Sequence, residues 1–275
     1  PEGAPCQGLV RSGVEILPLQ VPETTGHYYF AGKVAACARA EELAAASARS
    51  QTSLPTLAWM ATNCLVIQPP LLFHLGRQIG QDGAASDAAA LDAAAFDAAV
   101  RPVHIRNVGL AATGPLDSFW QGINEAMGVP DVETTVESFV DRQQLRAYYN
   151  SHAFAVNPAL GILRRWSELF EALVCDREFQ ERACQDGRHQ VFLHQAVLSA
   201  LLATSLEPAR VRLLPPEYNY PYNLHSSVPA QWRARALNDL VCIACEDRSL
   251  DPAVVDDIAV HEPLRSWLAA RQDAV

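Results

Sequence analysis

The sequence predicts an α/β fold in which one mixed, mostly parallel sheet is flanked by helices. The first sign is the stretch 54–70, where two apolar runs, 57–60 and 64–67, flank the polar break Ala61-Thr62-Asn63 and Gln68-Pro69-Pro70 ends the segment. The run 57–60 is short, uninterrupted and bounded by Pro55, as a strand buried on both faces of a parallel sheet reads. The second sign is helical periodicity on either side of such runs. Phe30, Val34, Cys37 and Ala38 fall on one face of an Ala-rich helix reaching about Ser50, and Ile162, Leu163, Trp166, Leu169, Phe170 and Leu173 mark an amphipathic helix. The polar break is the third sign, because the carboxyl end of such a strand is where open α/β sheets bind ligands. The functional site is expected there.

Taken in order, residues 13–19 read as a short strand that leads into a Pro- and Thr-containing loop before the Ala-rich helix. Residues 71–75 predict a short helix. An Ala-rich helix or loop insertion follows over 83–100, where Asp87, Asp92 and Asp97 recur every five residues. Five is not a helical period, so these carboxylates spiral around a helix instead of lining a metal site. The next strand is expected within 101–110, with Val103, Ile105 and Val108 toward packing surfaces. Asp117 or Ser118 then caps a helix running to Met127. Residues 148–158 read as a strand that delivers the amphipathic helix, and 192–201 as a further helix with Phe192, Val197, Ala200 and Leu201 on its buried side. The segment 213–225 is extended and rich in aromatic and amide side chains.

At 275 residues the chain is read as a single domain over 1–275, with 205–275 as a carboxyl-terminal extension on the acceptor side. Apolar residues make up 49%, yet no uninterrupted run approaches the roughly 18–20 residues needed to span a bilayer. A formal charge of −10 argues against a nucleic-acid binder, which needs clustered Lys and Arg, and leaves room for a local basic pocket around one diphosphate. Seven cysteines in so long a chain do not form a disulfide scaffold, and a reducing cytoplasm is the expected location. Cys242 and Cys245 have the spacing of half a zinc site or a redox pair, but no second close pair exists, so packing is expected. The chain begins at Pro1 without a Met or signal peptide and reads as trimmed.

The order of a helix ending in Ala40-Glu41, a loop, an apolar strand with Trp59, a polar triplet, a second apolar strand and Pro69-Pro70 resembles the nucleotide-sugar-dependent glycosyltransferases of A-type fold. That resemblance implies a Rossmann-like sheet. Since only residues 13–19 precede the first clear helix, either an earlier strand is lost or the amino-terminal half is abbreviated. Members carry Asp-x-Asp at the triplet, where it holds a divalent metal against the donor's diphosphate. Here the motif is degenerate, with Ala61 and Asn63 in the two places. Alanine cannot ligate, and an amide oxygen is a poorer partner than a carboxylate for Mg²⁺ or Mn²⁺.

Further blocks follow in the same order. Lys33 with Glu41 resembles the family's Phe-x-x-Lys and Ala-Glu signature. Asn150-Ser151-His152, an apolar strand and Asn157-Pro158 resemble its Asn-Ser-Gly segment, with His152 in the place of Gly. His194-Gln195 resembles its Asp-Gln helix, with His194 in the place of the carboxylate. Tyr218-Asn219-Tyr220 resembles a stretch near the acceptor, and His261 with Arg265 resembles a terminal His and Lys that meet the metal and the diphosphate.

The resemblance therefore implies transfer of a sugar from a nucleotide-sugar donor to a glycan or other hydroxyl acceptor. Lys33, Thr62, Asn63, Asn150, His261 and Arg265 would bind the donor, with Asn63 and His261 as a weak site for Mn²⁺ or Mg²⁺. His152, His194 and Gln195 would act in catalysis, a neutral imidazole being the kind of base that serves near pH 7. Tyr218, Asn219, Tyr220, Asn223 and His225 would bind the acceptor, since aromatic faces with amide neighbours suit sugars. The alternatives are a catalytically inactive relative that binds a nucleotide, a glycan or a protein, a solvated Lys33 and a merely well-packed 213–225. Transfer requires the triplet and the tail around His261 to meet across one cleft.

Overall fold

The structure, a computed structural model, describes residues 14–48, 56–76, 96–129, 131–245 and 257–272. In chain order it contains α1 (Ala31–Ala48), β1 (Leu57–Met60), β2 (Cys64–Val66), a 3₁₀ turn (Leu71–Phe73), β3 (Ala98–Pro102), α2 (Ser118–Met127), β4 (Thr135–Glu137), β5 (Gln144–Arg146) and β6 (Tyr149–Val156). There follow α3 (Ile162–Cys175), α4 (Arg177–Ala183), α5 (Gly187–Ser205), β7 (Val211–Leu213), β8 (Tyr220–Pro221), β9 (Cys242–Ala244) and α6 (Leu264–Gln272). The four-stranded sheet has the order β1-β6-β3-β7, a second sheet the order β2-β9-β8, and β4 pairs with β5.

The α/β class and the helix-flanked mixed sheet are thus observed. The expected excess of parallel pairs is not: among the described strands only β3 with β7 and β8 with β9 run parallel, while β6 is antiparallel to both of its neighbours. β1 is correspondingly an edge strand with Ala58 exposed, not one buried on both faces. Its apolar run reflects packing of Leu57 and Trp59 against the core from one side. Residues 14–20 form no strand, and Val14, Ile16, Leu17 and Leu19 are exposed, because no neighbouring strand pairs with them. The strand expected within 101–110 instead begins at Ala98, so the end of the expected 83–100 insertion belongs to the sheet; its part at 83–95 lies outside the described residues. Asp97 leads into β3 and receives Nε and Nη2 of Arg210, each at 2.9 Å.

Both faces of the central strands are covered, and alternation along β3 and β6 divides them. Ala98, Val100, Phe154 and Val156 join the helix-side core, while Ala99, Ala153 and Ala155 join a smaller cluster with Phe73, Leu75, Leu214 and Tyr218. Small side chains on that second face let the overlying layer come close. α5 is buried on all sides from Leu193 to Leu202, its polar His194, Gln195 and Ser199 being hydrogen-bonded there.

Helix ends behave as the sequence predicts. Asp117 Oδ1 accepts the Trp120 N–H at 2.9 Å, and α2 runs to Met127 before Gly128 turns left-handed at φ 72°. Gly122 in α2 lies so close to the Phe179 ring of α4 that a Cβ would overlap it. Gly122→Ala is expected to lower stability by about 1–3 kcal/mol, measured by urea unfolding with an unchanged m-value. No helix among the described residues is long and apolar enough to cross a membrane. The described cysteines are all free thiols, Cys242 being buried in β9.

Candidate functional site

Antiparallel pairing of β1 with β6 builds the site. Met60 lies opposite Ala153, and Ala61 N–H continues the ladder to the His152 carbonyl at 2.7 Å. The carboxyl end of β1 is therefore brought to the amino end of β6, so the triplet Ala61-Thr62-Asn63 faces Ser151 and His152. Beyond Met60 the strand β6 has no partner on that edge. α5 substitutes for it, with Gln195 Oε1 accepting from Ser151 N at 3.1 Å and Ser199 Oγ accepting from Tyr149 N at 2.8 Å.

A cleft of about 670 Å³ lies over this junction, lined among others by Phe30, Lys33, Thr62, Asn63, His152 and His194. That volume lies in the range of small-molecule sites, roughly 300–1,000 Å³. Lys33, in the first turn of α1, donates to Ser151 O and Ser151 Oγ, each at 3.1 Å, and lies 3.5 Å from His194 Nε2. Its Nζ also stands 4.9 Å from the centre of the Phe30 ring. Phe30 itself has φ 61°, a left-handed conformation that is costly for a bulky residue and is held at the rim of the site. Burial pushes the Lys33 ammonium down to about 8. No carboxylate lines the cleft among the described residues.

Both histidines are neutral at pH 7. Burial, reinforced by the Lys33 charge, pushes His152 down to about 4 and holds His194 well below its ordinary range. Asn150 Oδ1 accepts the His152 backbone N–H at 2.8 Å and contacts the ring Nδ1 at 2.9 Å. The shared atom is an acceptor, so Nδ1 carries the proton and Nε2 is the basic nitrogen. His194 Nδ1 meets the Val191 carbonyl at 2.9 Å, which leaves its Nε2 as acceptor at 2.9 Å from Ser151 Oγ.

Of the expected site residues, the fold brings together Lys33, Thr62, Asn63, His152, His194 and Gln195 at this cleft. Lys33 is thus no solvated surface lysine. Asn150 is buried behind His152 and holds its ring instead of lining the cleft. His261 and Arg265 do not line it either; both are exposed, and His261 N–H binds Asn238 Oδ1 at 2.8 Å. The tail packs α6 along β2, where Leu65, Ile67, Pro263, Leu264 and Trp267 line a separate groove. The expected shared cleft between triplet and tail is therefore not formed.

The proposed acceptor residues are mostly structural. Tyr218 OH accepts from Leu72 N at 2.9 Å, Tyr220 OH meets His225 Nδ1 at 2.9 Å, and Asn219 is fully buried with its N–H on Cys242 Sγ at 3.1 Å. Asn223 is exposed, and none of the five lines the cleft. The hydroxyls of Tyr218 and Tyr220 are thus used by the backbone and by His225, which ties this segment into the fold. Sequence reasoning missed Ser151, Phe30, Trp59 and Cys245 as lining residues. Ser151 lies between Asn150 and His152, and its contact with α5 across more than forty residues leaves no local signal.

Among the described residues the cleft fits a divalent metal poorly: Ala61 offers no side-chain donor, Asn63 offers only a neutral amide oxygen, and no carboxylate lines it. His261, the second expected ligand, is hydrogen-bonded to Asn238 and does not line the cleft. No protein-family model, curated protein or solved structure gives a significant match to this chain.

Proposed function

We propose that the cleft binds a nucleotide sugar and that the chain is a glycosyltransferase-like protein moving that sugar to a hydroxyl acceptor without a protein-bound metal. The observation that supports this reading is the convergence of Lys33, Thr62-Asn63, His152 and His194-Gln195, scattered over 163 positions, at one cleft. In the reaction the bond from the sugar carbon to the diphosphate oxygen breaks and a bond to the acceptor oxygen forms. Lys33 would carry the charge that develops on the departing diphosphate, at a point where little water competes. His152 Nε2 would take the acceptor's proton, with Asn150 holding the ring in the required tautomer. Thr62 and Asn63 would supply neutral contacts to the donor.

A second reading, binding without transfer, is favoured by one observation. His194 occupies the place where the resembled family projects a carboxylate at the sugar, yet it is buried and engaged by Ser151 and Val191. The test is a panel of nucleotide sugars, followed by calorimetry for binding and by release of the nucleotide for turnover. Turnover undiminished by EDTA is expected for metal-free transfer. Binding without turnover selects the second reading, and the absence of both removes the cleft as a nucleotide-sugar site.

A further inference from the structure

A second, separate feature concerns β3. Arg101 is 6% exposed, yet only its Nη1 has a partner, the Leu214 carbonyl at a long 3.5 Å; Nε and Nη2 have none. Its guanidinium lies 4.6 Å from the centre of the Phe139 ring, and no described carboxylate forms an ion pair with it. Glu217 is near enough to favour the charge and Arg142 opposes it, but burial outweighs both and pushes Arg101 down to about 10. At pH 7 this is a buried cation without an ion pair among the described residues, an arrangement that is strongly unfavourable unless something completes it.

Three residues on, His104 is 7% exposed and neither ring nitrogen has a partner. Burial, with the Arg101 charge against it, keeps its ring neutral, so it has one N–H to donate. Buried polar side chains without partners are uncommon in native proteins, and here two neighbours share the property. What both lack on the donor side is an acceptor, and what Arg101 lacks in addition is negative charge. A planar oxyanion meets both needs, because the two unused guanidinium nitrogens can present a fork to two oxygens.

We propose that Arg101 and His104 form an oxyanion site that receives the phosphate or carboxylate group of a small molecule. The site is distinct from Lys33 and does not depend on the sugar-transfer reading. It is nevertheless linked to the cleft: Arg101 pairs across the strands with Asn150, which holds His152.

Thermal unfolding of the whole chain with inorganic phosphate or succinate, at ionic strength held constant with chloride, tests the proposal. Wild type and Lys33→Met are expected to be stabilised in a saturable way by at least one probe, and Arg101→Met is not. Without a probe, Arg101→Met is expected to unfold at or above the wild-type temperature, since it removes an unpaired buried charge. Response to phosphate alone assigns a phosphorylated ligand, and response to succinate assigns a carboxylate. If Arg101→Met fails to fold, Arg101→Lys keeps the charge but loses the fork, and its apparent affinity for the probe should fall about tenfold. The proposal is overturned if wild type shows no saturable shift, if Arg101→Met or Arg101→Lys responds as wild type does, or if Lys33→Met alone abolishes the response.

Discussion

Lys33→Met is expected to weaken binding of an anionic nucleotide ligand to the cleft by about 10- to 100-fold, the size of a lost charged hydrogen bond of roughly 1.5–3 kcal/mol. The expectation rests on Lys33 supplying positive charge at a cleft that no described carboxylate lines. It carries a pH signature that a surface lysine would not. The folded protein releases the Lys33 proton near pH 8, whereas an unburied lysine keeps it to about 10.5. Affinity should therefore be full below pH 7.5 and decline between pH 8 and 9.5, while the residual affinity of Lys33→Met stays flat. In the free protein the sign is opposite for stability. Between about 8 and 10.5 the unfolded chain holds the proton that the folded one has lost, so wild-type stability rises with pH across that window and the variant's does not. Calorimetric titration at several pH values checks the first part; an affinity that is flat to pH 9.5 would place the anion elsewhere.

The largest loss of stability is expected at Glu41. Its side chain is fully buried, and its two carboxylate oxygens accept Leu163 N at 3.0 Å and Arg164 N at 2.9 Å, the amino-terminal groups of α3. Helix starts leave their first N–H groups unpaired, and here Gly161, which precedes the helix, has no side chain to serve them. A residue from another helix takes over the capping role, and its negative charge also suits the positive end of the helix dipole. Glu41→Ala exposes the N–H groups to an apolar surrounding and leaves a gap, at a cost of about 3 kcal/mol, the sum of a lost cap and unsatisfied buried donors. The thermal midpoint should drop by roughly 5–10 °C, and Glu41→Gln, which keeps one acceptor oxygen, should lose about half as much. A midpoint within one degree of wild type would show that α3 does not rely on this carboxylate.

Glu41 also shows what sequence reading can and cannot assign. Lys33 and Glu41 belong to one sequence signature, yet the fold uses them for different purposes. Lys33 reaches the cleft, while Glu41 caps a helix that starts more than a hundred residues later. Separation in the sequence carries no information about such a contact. Asp117 is the contrasting case. Its role as a cap was legible because the N–H groups it serves lie within three residues, so composition and order alone imply the bond.

Local signals therefore identified the helices α2, α3 and α5 and the strands β1, β2 and β6, since periodicity and caps depend on neighbours along the chain. The polar break marked the triplet, and the resemblance marked Lys33, His152 and His194-Gln195 as residues of interest. Strand direction and partner choice were another matter: a short apolar run looks the same whether it is central and parallel or, like β1, an antiparallel edge. Once β1 pairs with β6 in this sense, the triplet must face Ser151 and His152, and the tail at His261 is left along β2 instead. Whether a polar side chain is a ligand contact or a structural bond, as with Tyr218 and Tyr220, follows from which backbone groups the fold leaves without partners. That is settled by long-range packing, and no local pattern of residues encodes it.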